Sequence, residues 1–129
     1  MLDHVTLRVC DIGASRAFYS KTLAALGYTL GFDGEHDGIV MLGFADANKK
    51  FDTWFVPADT ARPVSGPLHI CWRAQDRAMV DAFYAAALAA SGRDNGPPGL
   101  RPQYHASYYG AFVLDPDGNN IEAVCHHAE

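Results

Sequence analysis

Two histidines, His4 and His69, stand 65 positions apart, and each opens a copy of the same stretch of chain. Residues 4–27 and 69–92 align without a gap, and 10 of the 24 positions are identical, among them His4/His69, Arg8/Arg73, Asp11/Asp76, Phe18/Phe83, Tyr19/Tyr84 and Gly27/Gly92. Self-similarity of this length within 129 residues means two copies of one supersecondary unit. A histidine duplicated with its strand is a way to build a symmetric metal site from one ancestral half-site. Further ionisable and aromatic groups gather in Gln103, Tyr104, His105, Tyr108 and Tyr109, where a lid or substrate-orienting loop would sit. His105 or Tyr109 would there serve as proton donor or oxyanion partner. The plain alternative is a set of surface aromatics capping a loop.

The elements that must position these groups follow from periodicity. Residues 2–9 alternate, with Val5, Leu7 and Val9 on one face and His4, Thr6 and Arg8 on the other, as in a half-buried strand. Helical spacing runs over 15–26, and Gly27 suits the left-handed position that ends a helix. Strands are expected at 28–32, 38–44 and 51–56, separated by Gly, Asp and Asn turns. The second copy repeats the plan with a strand at 68–74, a helix at 76–90 ending at Gly92, and a closing strand pair at 109–114 and 121–125. The turn between that pair is Asp115-Pro116-Asp117-Gly118. The remaining strand is placed between Gly99 and Ser107. The fold class is α+β, two tandem β-α-β-β-β units forming curled mixed sheets around a central cleft. One domain spans 1–129, with units at about 1–60 and 66–127. Alternation sets Ile70 and Trp72 on the helix-covered face, and His4, His69 and Glu122 on the concave one.

Composition narrows the partners. Net charge is −5 and the ten Lys and Arg residues are scattered, so no basic stripe is offered to nucleic acid. No apolar run reaches the roughly 18 residues of a membrane span, and no charged-then-apolar leader precedes the first strand. Cys10, Cys71 and Cys125 are odd in number and widely spaced, reading as reduced thiols of a cytoplasmic protein.

The tandem units, the opening Asp-His-Val-Thr-Leu-Arg-Val and the closing Asp115-Pro116-Asp117-Gly118-Asn119-Asn120-Ile121-Glu122 resemble the vicinal oxygen chelate superfamily. That group contains glyoxalase I, fosfomycin-resistance proteins, extradiol dioxygenases, methylmalonyl-CoA epimerase and bleomycin-resistance proteins. The resemblance implies metal ligands on the first and fourth strands of each unit: His4, His69 and Glu122. At the fourth place, where glyoxalase I enzymes carry Glu or Gln, this chain has Trp54, with Asp52 two residues earlier. Two imidazoles and one carboxylate suit Zn²⁺, Ni²⁺, Mn²⁺ or Fe²⁺. The metal would chelate a substrate with adjacent oxygens and act as a Lewis acid in lyase, isomerase, transferase or dioxygenase chemistry, with Glu122 taking part in catalysis. Trp54, Arg8, Arg73, Tyr104 and Tyr108 would line the substrate site, although Arg8 and Arg73 also read as salt-bridge partners of Asp11 and Asp76. Cys125-His126-His127 resembles a metal clip, but three adjacent terminal residues read as a frayed tail and are given no role.

A rival reading is a metal-free binding protein of the bleomycin-resistance type, sequestering an aromatic compound against Trp54 and the 104–109 cluster. Both readings imply a small-molecule partner. The resemblance also implies a homodimer, with the first unit of one chain facing the second unit of the other.

Overall fold

The computed structural model describes residues 1–128. Its elements run β1 (Val5–Val9), α1 (Ile12–Thr22), a 3₁₀ turn (Ala24–Leu26), β2 (Thr29–His36), β3 (Ile39–Ala45) and β4 (Phe51–Pro57) in the first unit. The second unit holds β5 (His69–Arg73), α2 (Arg77–Ala89), β6 (Arg93–Leu100), β7 (Tyr109–Leu114) and β8 (Asn120–Cys125). Each unit builds its own four-stranded sheet, in the orders β1-β4-β3-β2 and β5-β8-β7-β6. The first strand of each unit pairs parallel with the last, and the other pairings are antiparallel. The duplication is thus structural as well as sequential. Among the described residues no helix is long and apolar enough to cross a membrane.

Alternation sends one face of each sheet into the core. Leu7, Val9, Phe44 and Phe55 from the first sheet, and Ala111, Val113, Ile121 and Ala123 from the second, are buried in one cluster with Phe18, Tyr19, Val80 and Phe83 of the helices. Tyr19 sits at its centre, with ring centroids 4.2 Å from Phe55, 5.0 Å from Phe18 and 6.4 Å from Trp72. Its hydroxyl donates to Asp115 at 2.6 Å, joining the helix of one unit to the closing turn of the other.

The helix ends show where the copies diverge. Asp11 and Asp76 both have extended backbones, and their carboxylates accept from the N–H groups of Ala14 and Met79 at 3.0 and 2.8 Å. They are N-caps. This corrects the expected pairing with Arg8 and Arg73, which is not formed among the described residues. At the C-terminal end of the first helical stretch, Gly27 takes the left-handed conformation (φ 82°), with Gly27 N–H on Ala24 O and Tyr28 N–H on Leu23 O. This pair of bonds is the Schellman motif. In the second unit the same bonds run from Ser91 to Leu88 and from Gly92 to Ala87, and the left-handed residue is Ser91 (φ 72°). The helix therefore stops one residue earlier than the repeat implies. Gly92 is kept for space instead, since a Cβ there would come 2.8 Å from Ala87 O and 2.7 Å from the Val113 side chain. Ser91→Gly is accordingly expected to stabilise the protein by about 0.5–1 kcal/mol, read as a rise in urea midpoint at constant slope.

The missing strand of the second unit is β6 at Arg93–Leu100, earlier than the expected 99–107. Gly96, Pro97 and Pro98 hide it, because prolines give no ladder donor. The ladder with β7 breaks register twice, between Asp94 and Gly96 and between Gly96 and Gly99. Such a strand survives only at a sheet edge, where β6 lies.

Candidate functional site

The face of each sheet that the helices leave open carries the candidate chemistry. On the second sheet, Cys71 stands opposite Glu122 and His69 opposite Asn120 in the parallel β5–β8 ladder. Glu122 alternates with the core residues Ile121 and Ala123, so it points to the open face, yet only 2% of it is exposed. His69 Nε2 lies 2.9 Å from Glu122 Oε2, and the Tyr108 hydroxyl donates to Glu122 Oε1 at 2.5 Å. Gly110 gives this pair its room: a Cβ there would be 3.1 Å from Oε1 and 3.2 Å from the Tyr108 ring. Burial, reinforced by the Glu122 carboxylate, holds both the Cys71 thiol and the Tyr108 hydroxyl well above their ordinary pKa ranges. Both groups therefore favour their protonated forms. Phe112, opposite Glu122 in the β7–β8 ladder, lies with its ring centroid 6.3 Å from that of His69. The Arg101 guanidinium sits 5.6 Å over the same ring.

The first sheet has a different furnishing at equivalent places. Thr6 pairs with Trp54 as its repeat mate Cys71 pairs with Glu122, so Trp54 occupies the position of the carboxylate. Opposite it, in the place of Phe112, stands Gly43. The indole lies across that glycine so closely that a Cβ would fall 2.5 Å from Cζ3. Two bulges complete the surface. One residue is inserted in β4 at Asp52, shifting Phe51 out of phase, and one in β2 at Gly31, which separates core-facing Leu30 from Phe32. Phe51 stacks on Trp54 at 5.3 Å and 26°, and Phe32 approaches it at 6.0 Å. The Phe51 ring in turn covers Gly31, where a Cβ would meet it at 2.6 Å. The result is a platform of three rings over two glycines.

The remaining sequence expectations divide. Tyr104 and His105 lie beside Tyr108, with ring centroids at 4.9 and 5.4 Å. His105 Nε2 is 2.9 Å from His126 Nδ1, so His126 joins the loop where no role was expected for it. Desolvation, with His105 and Arg73 nearby, keeps the His126 pKa below the usual histidine range. Tyr109 lies elsewhere than its expected catalytic place: its hydroxyl donates to Asp81 of α2 at 2.8 Å and Arg77 lies 5.0 Å over its ring. Asp52, expected on the Trp54 face, is turned by the bulge to accept from Tyr28 and Thr53 at 2.9 and 2.8 Å. His4 precedes β1, is exposed, and bonds Asp3 at 2.8 Å. It lines a cavity of about 220 Å³ between β1, β4 and β5 with Asp52, Lys50 and Arg73. Arg8 shares the open face of β1 with Thr6.

Within one chain the donor set falls short of the metal centre implied by the resemblance. Among the described residues no three His, Cys, Asp or Glu side chains converge. His69 and Glu122 meet, both carboxylate oxygens already accept hydrogen bonds, and the place of a fourth ligand is filled by an indole.

Comparison with known proteins settles the family. The model of the Glyoxalase/Bleomycin resistance protein/Dioxygenase superfamily matches residues 1–123. The chain belongs to that superfamily. A glyoxalase/bleomycin resistance protein from Albidiferax ferrireducens T118 is similar, at 26% identity and TM-score 0.78, over 97% of this chain and 98% of that one. TnmS3, an antibiotic binding protein from Streptomyces sp. CB03234, is similar at 25% identity and TM-score 0.68, over 98% and 96%. A superfamily enzyme from Burkholderia phytofirmans PsJN shares the fold at 22% identity and TM-score 0.69, over 98% of each chain. No curated protein sequence matches the chain. Superfamily membership accounts for the tandem units; Phe112 falls on the open face by simple alternation with Ala111 and Val113, whereas Phe32 and Phe51 reach it through bulges that alternation alone does not expose.

Proposed function

We propose that this superfamily member is a small-molecule binding protein that captures a flat aromatic compound against the Trp54 platform. One observation carries the reading: at the register position where the second sheet has a carboxylate, the first has an indole laid flat over glycine and extended by Phe51 and Phe32. A face of that kind gives a planar ligand dispersion and stacking area at little entropic cost, because rings stacked on each other are already fixed. TnmS3, an antibiotic binding protein of the same fold, supports the same class of ligand. In a two-fold dimer the platform of one copy would face the His69–Glu122–Tyr108 face of the other, sandwiching the ligand and offering a buried carboxylate to its polar edge.

Fluorescence tests this directly. Trp54 is partly exposed on the platform while Trp72 is buried in the core. An anthraquinone is expected to quench the Trp54 emission saturably and to leave that of Trp72. Quenching that rises linearly to the solubility limit would overturn the reading.

A second reading rests on the His69–Glu122 contact at 2.9 Å, a half-site of the implied ligand set. His4 of a second copy would complete a two-histidine, one-carboxylate centre for Zn²⁺, Ni²⁺, Mn²⁺ or Fe²⁺. Elemental analysis of protein purified without chelators separates the two: a stoichiometric metal that His69→Ala abolishes supports the enzyme reading, and its absence supports the binder.

A further inference from the structure

The second sheet sets opposite charges on the two sides of one ring. Across its open face a row runs Cys71, Glu122, Phe112, Gly96, from β5 through β8 and β7 to β6. Beside Gly96 the row ends in a cation, the Arg101 guanidinium, 5.6 Å over the Phe112 ring. Glycines leave it room: a Cβ at Gly96 would come 3.6 Å from Arg101 Nη2, and one at Gly99 3.0 Å from Nη1. Backbone carbonyls fix the side chain, with Nη2 donating to Pro97 O at 2.6 Å and Nη1 to Leu100 O at 3.3 Å. The Arg101 backbone N–H donates to Tyr108 O at 2.8 Å, closing the neck of the 101–108 segment and locking Arg101 to the residue whose hydroxyl holds Glu122. Yet Arg101 forms no ion pair among the described residues. Glu122 does not neutralise it, because its oxygens accept from His69 and Tyr108 and it stands on β8, across Phe112 from β6. The equivalent row of the first sheet, Thr6, Trp54, Gly43 and Phe32, carries no charge at all.

We propose that Arg101 selects the ligand by charge: the flat compound held in the cleft is an aromatic acid, and its carboxylate pairs with the Arg101 guanidinium. The inference rests on the platform reading above, with the second-sheet face of one copy closing over the Trp54 platform of the other. Two carbonyls and a ring face orient a guanidinium without cancelling its charge, and the partner its planar fork matches best is a carboxylate. Because the side chain is already fixed, little rotamer freedom is lost when the acid arrives. The uncharged platform supplies stacking area and no preference between an acid and its neutral analogue. Discrimination therefore falls to the second sheet, and to the cation at its β6 side.

The test is titration of the full chain with an anthraquinone carboxylate and with the matching neutral carboxamide, followed by Trp54 quenching. Wild type is expected to bind the carboxylate roughly tenfold or more tighter than the amide. Arg101→Gln should bring the two affinities together by weakening the acid alone, and Arg101→Lys, which keeps the charge without the fork, should retain part of the preference. Arg101 also ties β6 to Phe112, and loss of that tie would weaken both compounds alike, so the ratio of the two affinities reports charge recognition separately from any structural effect. Equal affinity for acid and amide in wild type overturns the proposal while leaving the platform reading standing. A preference for the acid that persists in Arg101→Gln overturns it too, since the cation would then lie elsewhere. Saturable binding of neither compound overturns both readings together.

Discussion

Asp115→Ala lowers stability by about 3 kcal/mol or more, a fall in melting temperature on the order of 10 °C. The carboxylate is 3% exposed and is the acceptor for four donors: the Tyr19 hydroxyl at 2.6 Å, the N–H groups of Asp117 and Asn119 at 2.9 and 2.8 Å, and the Asn119 side-chain amide at 2.9 Å. Truncation leaves buried donors without partners, each costing about 1–3 kcal/mol unless water enters. Asn119 Oδ1 also accepts from the N–H of Leu68, the residue just before β5, so the loss spreads to the strand that carries His69. Tyr19→Phe removes one bond only and should cost about 1–2 kcal/mol. Asp115→Asn should fall between them and keeps the series measurable if the alanine variant does not fold. Equal stability of Asp115→Ala and Tyr19→Phe in urea melts would show that the turn holds itself without its acceptor.

Trp54→Ala should weaken anthraquinone binding by about 2 kcal/mol, a roughly 30-fold rise in Kd, with little change in melting temperature. The stacked area disappears and Phe51 loses the ring that fixes it. Trp54→Phe keeps part of the surface and should lose less. Gly43→Ala is the stronger control, because it leaves the indole in the chain but puts a methyl where the indole lies, 2.5 Å from Cζ3. It should bind nearly as poorly as Trp54→Ala. Wild-type affinity in Gly43→Ala would mean that the ligand does not use the flat face of Trp54. Titrations followed by the remaining fluorescence, or by ligand absorbance for Trp54→Ala, decide the matter.

Much of this architecture was readable from the chain because the duplication repeats every cue. The same Asp precedes both helices, alternation recurs in both opening strands, and the Asp-Pro-Asp-Gly turn places Glu122 on the last strand. What escaped depends on single residues that break phase. The bulge at Asp52 moves Phe51 onto the Trp54 face and removes Asp52 from it, and the bulge at Gly31 does the same for Phe32. A period-2 reading cannot detect an inserted residue. Tyr109 was assigned with its neighbours in the loop cluster, but it is the first residue of β7 and its parity sends it to the helix side, beside Asp81. His126 gave no strand or helix signal at all. Its partner His105 is 21 positions away, and only the packing of the loop brings the two together.

The outer margins of the two sheets are closed to further pairing. β6 has prolines and broken register, and β2 has Asp33, Glu35 and His36 along its exposed length. β5 keeps an open margin, while on β1 the Arg8 N–H and C=O are already taken by Ser65, at 3.0 and 2.9 Å; the two strands flank the same cavity. Growth of these sheets by strand addition is therefore self-limiting: once the two inner margins are taken, no template is left for a third chain, and a route to fibrous aggregation is shut by the sequences of the two outer strands.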